Sequence, residues 1–224
     1  MKKYAVIVAG GSGSRMNSDI PKQFLLLEGK PVLMHTINNF SQADNSITIR
    51  LVLPKDQIEV WSSLCLQYNF RIEHEVIAGG ITRFDSVKNG LKGIDAESLV
   101  AIHDGVRPLI SKSIILESYK IAKERGSAIA AVNLKESIRK KVSGSTVSKN
   151  RKDYLLIQTP QTFHSRLIIA AYANAKDGTL FTDDASVFEA NGGKVEVIDG
   201  DYKNIKITTP EDLNIAQALL TNGI

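Results

Sequence analysis

The 224 residues are enough for one full α/β domain with its own core, and 43% hydrophobic with 23% charged residues is ordinary for a soluble globular protein. A net charge of +4, with no Lys/Arg cluster interleaved with aromatics, gives no reason to expect nucleic acid as a partner. A single cysteine, Cys65, excludes an internal disulfide and suits a reducing, cytoplasmic compartment, and no apolar stretch is long enough to cross a membrane.

Tyr4 to Ala9 is a short apolar run that reads as a buried parallel strand. It breaks into Gly10-Gly11-Ser12-Gly13-Ser14, followed by Arg15-Met16 and, a little further on, Pro21-Lys22-Gln23. Glycine lets the chain turn sharply and lets a ligand approach the backbone. Successive N–H groups in such a turn form a nest for anions, and Arg15 and Lys22 set two fixed cations beside it. The layout is one for handling phosphate. It is not a Walker loop, because no Gly-Lys-Ser/Thr occurs there, and it is not the dinucleotide fingerprint, because Met16 stands at the third glycine. The glycines alone would equally suit an ordinary strand-to-helix turn; the cations argue against that.

Pro31 to Ile37 begins a helix, with proline tolerated in its first turn. Ile47 to Leu53 alternates as a strand, and Pro54 opens a helix running to about Gln67. Ile72 to Ile77 is expected as a strand ending at Gly79-Gly80, and Thr82 to Val87 opens a helix. Leu99 to Ile102 is a strand leading into His103-Asp104-Gly105-Val106-Arg107-Pro108, Ser111 caps a helix to about Arg125, and Ala128 to Val132 is a strand. Strands alternating with helices imply an α/β, Rossmann-like, doubly wound, mainly parallel sheet, in which ligands gather at the carboxyl ends of the strands. The first loop, Gly79 to Ser86, and Asp104 to Arg107 all lie at such ends.

Glu136 to Lys152 breaks the alternation. It is polar and basic, with a hairpin turn expected at Gly144-Ser145, and it has so little apolar surface that it should lie on something, such as a second subunit, unless it is a mobile loop. Tyr154 to Gln158 returns to strand, Ser165 to about Lys176 is a helix, and Thr182-Asp183-Asp184 starts another with acids facing its dipole. Val195 to Ile198 and Asn204 to Ile207 read as strands, and Thr209-Pro210-Glu211-Asp212 caps the last helix. No repeat or linker divides residues 1–224, so a single domain is expected, with a protruding β-arm at about 134–153.

Arg107 beside a strand-end aspartate adds a third cation, which points to a highly anionic ligand, and in that company Lys206 becomes a candidate too. Asp104 suits an Asp-Gly turn, sugar hydroxyls or a metal, and Ser86 suits a ribose or a merely local contact. The four histidines are dispersed with no zinc spacing, and no G-x-S-x-G elbow occurs.

Ala9 to Met16 with Pro21-Lys22-Gln23 resembles the sugar-phosphate nucleotidyltransferases. Gly79-Gly80 through Val87, His103 to Pro108, Gln158-Thr159-Pro160-Gln161, Thr182 to Ser186 and Asn204 to Thr208 narrow the resemblance to the 2-C-methyl-D-erythritol 4-phosphate cytidylyltransferase family, in order and over almost the whole chain. The resemblance implies transfer of cytidylyl from CTP to methylerythritol phosphate in non-mevalonate isoprenoid synthesis. It implies that Ala9, Gly10 and Gly80 hold cytosine through backbone groups, with Gly11, Gly13 and Ser86 at the nucleotide. Arg15 and Lys22 would stabilise the pentavalent phosphorus, Asp104, Arg107 and Ser137 would touch the polyol, and Arg151 and Lys206 would grip its phosphate. The arm would cross a homodimer interface, so that Arg151 serves the partner's site. Charge on the transition state would be met by Arg15, Lys22 and a Mg²⁺ held mainly by the triphosphate, with no protein metal ligands. A ribitol 5-phosphate cytidylyltransferase shares several of these motifs. A non-catalytic nucleotide sensor would not need both Arg15 and Lys22, and a nicotinamide oxidoreductase would need the missing third glycine.

Overall fold

The apolar runs of the sequence become the strands of one sheet whose two faces are both covered. The structure, a computed structural model, describes residues 1–10, 20–176 and 178–221. In chain order its elements are β1 (Lys2–Val8), a hairpin of β2 (Leu26–Leu27) and β3 (Lys30–Pro31), α1 (Val32–Ala43), β4 (Ile47–Leu53), α2 (Ile58–Gln67), β5 (Glu75–Ala78) and α3 (Arg83–Leu91). There follow β6 (Ser98–Asp104), α4 (Lys112–Arg125), β7 (Ser127–Asn133), β8 (Ile138–Val142), β9 (Ser145–Lys149) and β10 (Leu155–His164). The chain closes with α5 (Ser165–Asn174), α6 (Asp184–Ala190), β11 (Val197–Asp199) and α7 (Pro210–Thr221).

The sheet order is β11-β7-β10-β6-β1-β4-β5. All neighbours are parallel except β10, which is antiparallel to both β6 and β7. The mainly parallel, doubly wound α/β expectation is met. Alternation along β1 shows why both faces are apolar. Ala5 and Ile7 face a core shared with Ile37, Phe40 and Trp61, while Val6 and Val8 face a second core with Val87, Phe163 and Phe188. Each such fully buried large side chain contributes about 1.5–3 kcal/mol. A smaller cluster of Leu27, Val32, Val106, Ile207 and Ala216 seats α7 against the carboxyl end of the sheet.

Helix starts follow their capping residues. The Thr82 hydroxyl accepts from the Asp85 amide and the Asp85 side chain answers the Thr82 amide. Ser111 caps α4, and Asp183 with Ser186 forms a reciprocal box on α6.

Four expectations need correction. The segment Asn204 to Ile207 is not a strand: it has the alternation but forms no ladder, the Asn204 and Ile205 amides donating locally to the Asp201 and Lys203 carbonyls and Ile207 donating to the Val106 carbonyl. β5 starts at Glu75 rather than Ile72, because its partner β4 is in register only from Arg50 opposite Glu75. The strand expected to stop at Gln158 runs on to His164, since the ladder skips from Ile157 to Gln161 and tolerates Pro160 inside that irregularity. The turn of the β8–β9 arm is Ser143-Gly144, one residue earlier than expected, with Gly144 at φ +68°, a left-handed conformation that glycine adopts without steric cost.

Candidate functional site

Three loops leave the sheet side by side because the backbone ladder continues past the strands. Ala9 donates to the Val52 carbonyl at 2.9 Å, Gly79 to Leu53 at 2.7 Å and Gly105 to Val8 at 2.8 Å. The carboxyl ends of β1, β5 and β6 thus open onto one cleft. A Cβ on Gly80 would lie 2.2 Å from Asp85 Cβ, so this position has no room for a side chain. Ser86 Oγ accepts from the Gly80 amide at 3.1 Å and keeps its own proton for an incoming acceptor.

A one-turn 3-10 helix, Lys22–Phe24, follows Pro21 and sets the next wall. Gln23 Nε2 donates to the Ala9 carbonyl at 2.9 Å and to Gln57 Oε1 at 2.5 Å, and Phe24 stacks on Trp61. These two anchors hold Lys22, itself only 8% exposed, at the rim of the cleft.

Asp104, at the end of β6, is the hub. Its carboxylate meets Arg107 Nε at 3.1 Å, Lys206 Nζ at 3.2 Å and Arg83 Nε at 3.6 Å. Burial works against its charge, but Arg83, Lys206 and Arg107 outweigh it and hold the carboxyl well below the usual carboxylate range. Asp104 is therefore an ionised, acceptor-only group at any working pH. Arg83 is itself fixed by a bidentate pair with the fully buried Asp184, at 2.9 and 2.7 Å, and Tyr172 donates to the same carboxylate at 2.6 Å. Burial opposes the charge on Arg83 too, and Asp184 with Asp104 more than restores it.

A second hydrogen-bond chain sits beneath the hub. The Asp104 amide donates to Thr159 Oγ1 at 3.0 Å, and the same oxygen lies 3.0 Å from His103 Nδ1. The Arg107 carbonyl, which can only accept, faces Nε2 at 3.5 Å; this favours the ring proton on Nε2, with Nδ1 accepting from the Thr159 hydroxyl. Burial pushes the His103 ring down to about 3, with Arg107 and Lys206 adding to that and Asp104 opposing it. We expect His103, one of four histidines, to show ring resonances that stay fixed between about pH 5 and 8 in an NMR titration. A shift with a midpoint in that window would contradict the assigned proton arrangement.

Asn204 braces the far side. Its Nδ2 donates to Gln158 Oε1 at 3.2 Å and the Thr159 carbonyl at 2.8 Å, and its carbonyl accepts from Arg107 Nη1 at 2.8 Å. Side-chain bonds, not a strand ladder, thus place Lys206 two residues on.

The cleft has two adjoining hollows. Val8, Ala9, Gly10, Lys22, Gly80 and Ser86 line the first; Arg107, Ile157, Gln158, Thr159 and Thr182 line the second; Arg83, Asp104 and Lys206 lie on both. Sequence reasoning named Ala9, Gly10, Lys22, Gly80, Ser86, Asp104, Arg107 and Lys206, and the fold brings them together. Arg15, Gly11 and Gly13 lie outside the described residues. Ser137 and Arg151 are exposed on the arm and line neither hollow of their own chain; Arg151 donates to the Lys135 carbonyl. The sequence reading gave no role in the site to Arg83, Thr159 or His103, and it gave Asp184 only the place of a first-turn acid facing a helix dipole. Arg83 and Asp184 stand 101 positions apart, and nothing local marks them as partners. Among the described residues no group of His, Cys, Asp and Glu is arranged to hold a metal, and no helix is long and apolar enough to cross a membrane.

Comparison with known proteins gives one answer. A family model described as 2-C-methyl-D-erythritol 4-phosphate cytidylyltransferase matches residues 4–222. A protein of that name from Azobacteroides pseudotrichonymphae is 50% identical over 222 residues, covering 98% of this chain and 99% of the relative. Another from Bacteroides thetaiotaomicron is 47% identical over 220 residues, covering 98% and 100%. Among solved structures, 4-diphosphocytidyl-2C-methyl-D-erythritol synthase from Anaerococcus prevotii superposes with a TM-score of 0.83 at 32% identity, covering 97% of this chain and 95% of that one. The Francisella tularensis 2-C-methyl-D-erythritol 4-phosphate cytidylyltransferase gives 0.81 at 31% identity, covering 97% and 99%.

Proposed function

The chain belongs to the 2-C-methyl-D-erythritol 4-phosphate cytidylyltransferase family, and from that membership we propose how its cleft carries out the family's reaction. The protein is a CTP-dependent nucleotidyltransferase of isoprenoid biosynthesis that transfers cytidylyl to 2-C-methyl-D-erythritol 4-phosphate and releases pyrophosphate. The observation that carries the assignment of sides is the pair of adjoining hollows separated by Arg83, Asp104 and Lys206.

CTP occupies the first hollow, its base framed by the backbone of Ala9, Gly10 and Gly80 and by the free proton of Ser86. The polyol phosphate occupies the second, with its hydroxyls on Asp104 and its phosphate toward Lys206 and Arg107. Its nucleophile is a phosphate oxygen that is already ionised near neutral pH, so no general base is needed. This agrees with Asp104, which three cations keep from taking up a proton. Two anions must meet, and negative charge then spreads over the α-phosphate and the departing pyrophosphate. Lys22, with Arg15 from the glycine loop, offsets that charge, and the fixed ion network supplies orientation. The described residues do not provide a carboxylate cage for Mg²⁺, since the Asp104 carboxylate is engaged by Arg83, Arg107 and Lys206. A Mg²⁺ held mainly by the triphosphate would offset part of the same charge.

The β8–β9 arm packs on a second copy of the chain, which brings Arg151 and Ser137 to the neighbour's second hollow. Support comes from the arm's exposure and from the run of half-exposed Tyr154, Leu155 and Leu156 at its base. Ordering such an arm without a partner would cost roughly 1–2 kcal/mol per residue in backbone entropy.

A pyrophosphate-release assay with CTP and a panel of polyol phosphates tests the reaction. Turnover of ribitol 5-phosphate without turnover of methylerythritol phosphate would overturn the substrate. For the shared site, an Arg151→Ala chain mixed with a Lys22→Ala chain is expected to regain activity, because one site of the mixed dimer keeps both residues. Mixed dimers that stay inactive despite demonstrated subunit exchange would rule it out.

A further inference from the structure

We propose that Ile157 selects a methyl-branched polyol phosphate over an unbranched one, an inference that rests on the reaction assigned above. The second hollow is lined by the charged side chains of Arg83, Asp104, Arg107, Asp183 and Lys206 and by Gln158, Thr159, Gln161 and Thr182. Among these lining residues Ile157 is the single apolar side chain, and it remains 44% exposed. A polyol with a hydroxyl on every carbon has nothing to place against an isoleucine; it would leave water on that surface or strip a hydroxyl of its hydrogen bonds. A polyol carrying one methyl has a group that gains by that contact, since both surfaces leave water.

The backbone holds Ile157 where such a contact is repeatable. Ile157 pairs with Ala131 as the last residue of the β7 ladder before the register shifts, and pairing resumes only at Gln161. The next residue, Gln158, turns inward at 8% exposure, bonded to Asp201 and Asn204. The regular ladder is thus interrupted just after Ile157, which stands at the surface of the hollow, while the side chain of the residue after it is tied to Asp201 and Asn204. Branching at Cβ leaves the side chain few rotamers, so the wall it offers is stiff. Asp104, in the same hollow, has both carboxylate oxygens held by cations, Oδ1 by Arg83 and Oδ2 by Arg107 and Lys206, and it supplies only acceptors. The hollow therefore offers fixed acceptors and donors for hydroxyls and one apolar patch, which is the pattern of a polyol with a single branch methyl.

The test is kcat/KM for 2-C-methyl-D-erythritol 4-phosphate against D-erythritol 4-phosphate at saturating CTP, for wild type, Ile157→Val, Ile157→Thr and Ile157→Ala. One methyl group in an apolar site is worth about 10–200-fold in discrimination, and the half-open position of Ile157 puts the expectation near tenfold. Wild type should favour the branched substrate by that amount. Ile157→Thr, which has the shape of valine but carries a hydroxyl, should bring the ratio near unity by lowering the branched substrate's value, with the KM for CTP unchanged. Ile157→Val, which can be relied on to fold, should fall between. An unchanged ratio in all three variants would overturn the inference while leaving the assigned reaction standing. An equal loss for both substrates would also overturn it and would make Ile157 a subunit contact only. A wild type that turns over neither substrate would overturn the assigned reaction, and this inference with it.

Discussion

Replacing Lys22 with alanine is expected to lower kcat by about two to three orders of magnitude, the scale of removing one group that meets transition-state charge. The position of this lysine is fixed before any ligand arrives. Pro21 starts the one-turn helix, and the Phe24 amide closes it on the Pro21 carbonyl at 2.8 Å. Gln23 is fully buried, with both amide protons engaged, and Phe24 lies against Trp61. Trimming Lys22 to alanine leaves these anchors in place, so the variant should fold and bind CTP while failing at the chemical step. Steady-state pyrophosphate release on folded protein decides it, and a kcat within a fewfold of wild type would remove Lys22 from the mechanism. The same substitution at Arg15 is expected to have an effect of the same size, on the strength of its place behind the glycine loop.

Arg83→Leu is expected to cost roughly 3–5 kcal/mol of stability, because it leaves the carboxylate of Asp184 buried without a counter-charge. Asp184 is fully buried at the start of α6, and the Tyr172 hydroxyl would remain as its side-chain donor. Tyr172 in turn stacks on Phe84 of α3 at 4.7 Å, so the pair Arg83–Asp184 fastens the start of α3 to the start of α6. The double variant Arg83→Leu/Asp184→Asn should recover part of the loss, since an amide buries more cheaply than an unpaired charge and still accepts from Tyr172. Denaturant unfolding of wild type, both single variants and the double variant measures the coupling. Strictly additive losses would show that the two residues do not act as a pair. In the catalytic cycle the same pair matters through Asp104, whose second oxygen faces Arg83. Asp184→Asn should therefore raise the KM for the polyol phosphate more than the KM for CTP.

Local pattern carried much of the fold. An apolar run, a glycine break or a capping residue acts within a few positions, so β1, β4, α4 and the β8–β9 arm could be read from the residues they contain. The phosphate-handling loop was legible for the same reason: its glycines and cations are neighbours in sequence. The charge network around Asp104 was not. Its cations come from positions 83, 107 and 206, after the parallel strands β5, β6 and β11, and the carboxylate that fixes one of them comes from 184, which follows antiparallel β10 and α5, so the four segments meet only in the folded chain. Asn204 to Ile207 shows the limit from the other side. Alternation there promised a strand, but a strand exists only where another offers unpaired backbone groups, and the last strand added to that end of the sheet is β11, which fills the outer side of β7. The segment instead runs beside β10, tied by the side chain of Asn204, and that detour is what carries Lys206 to Asp104.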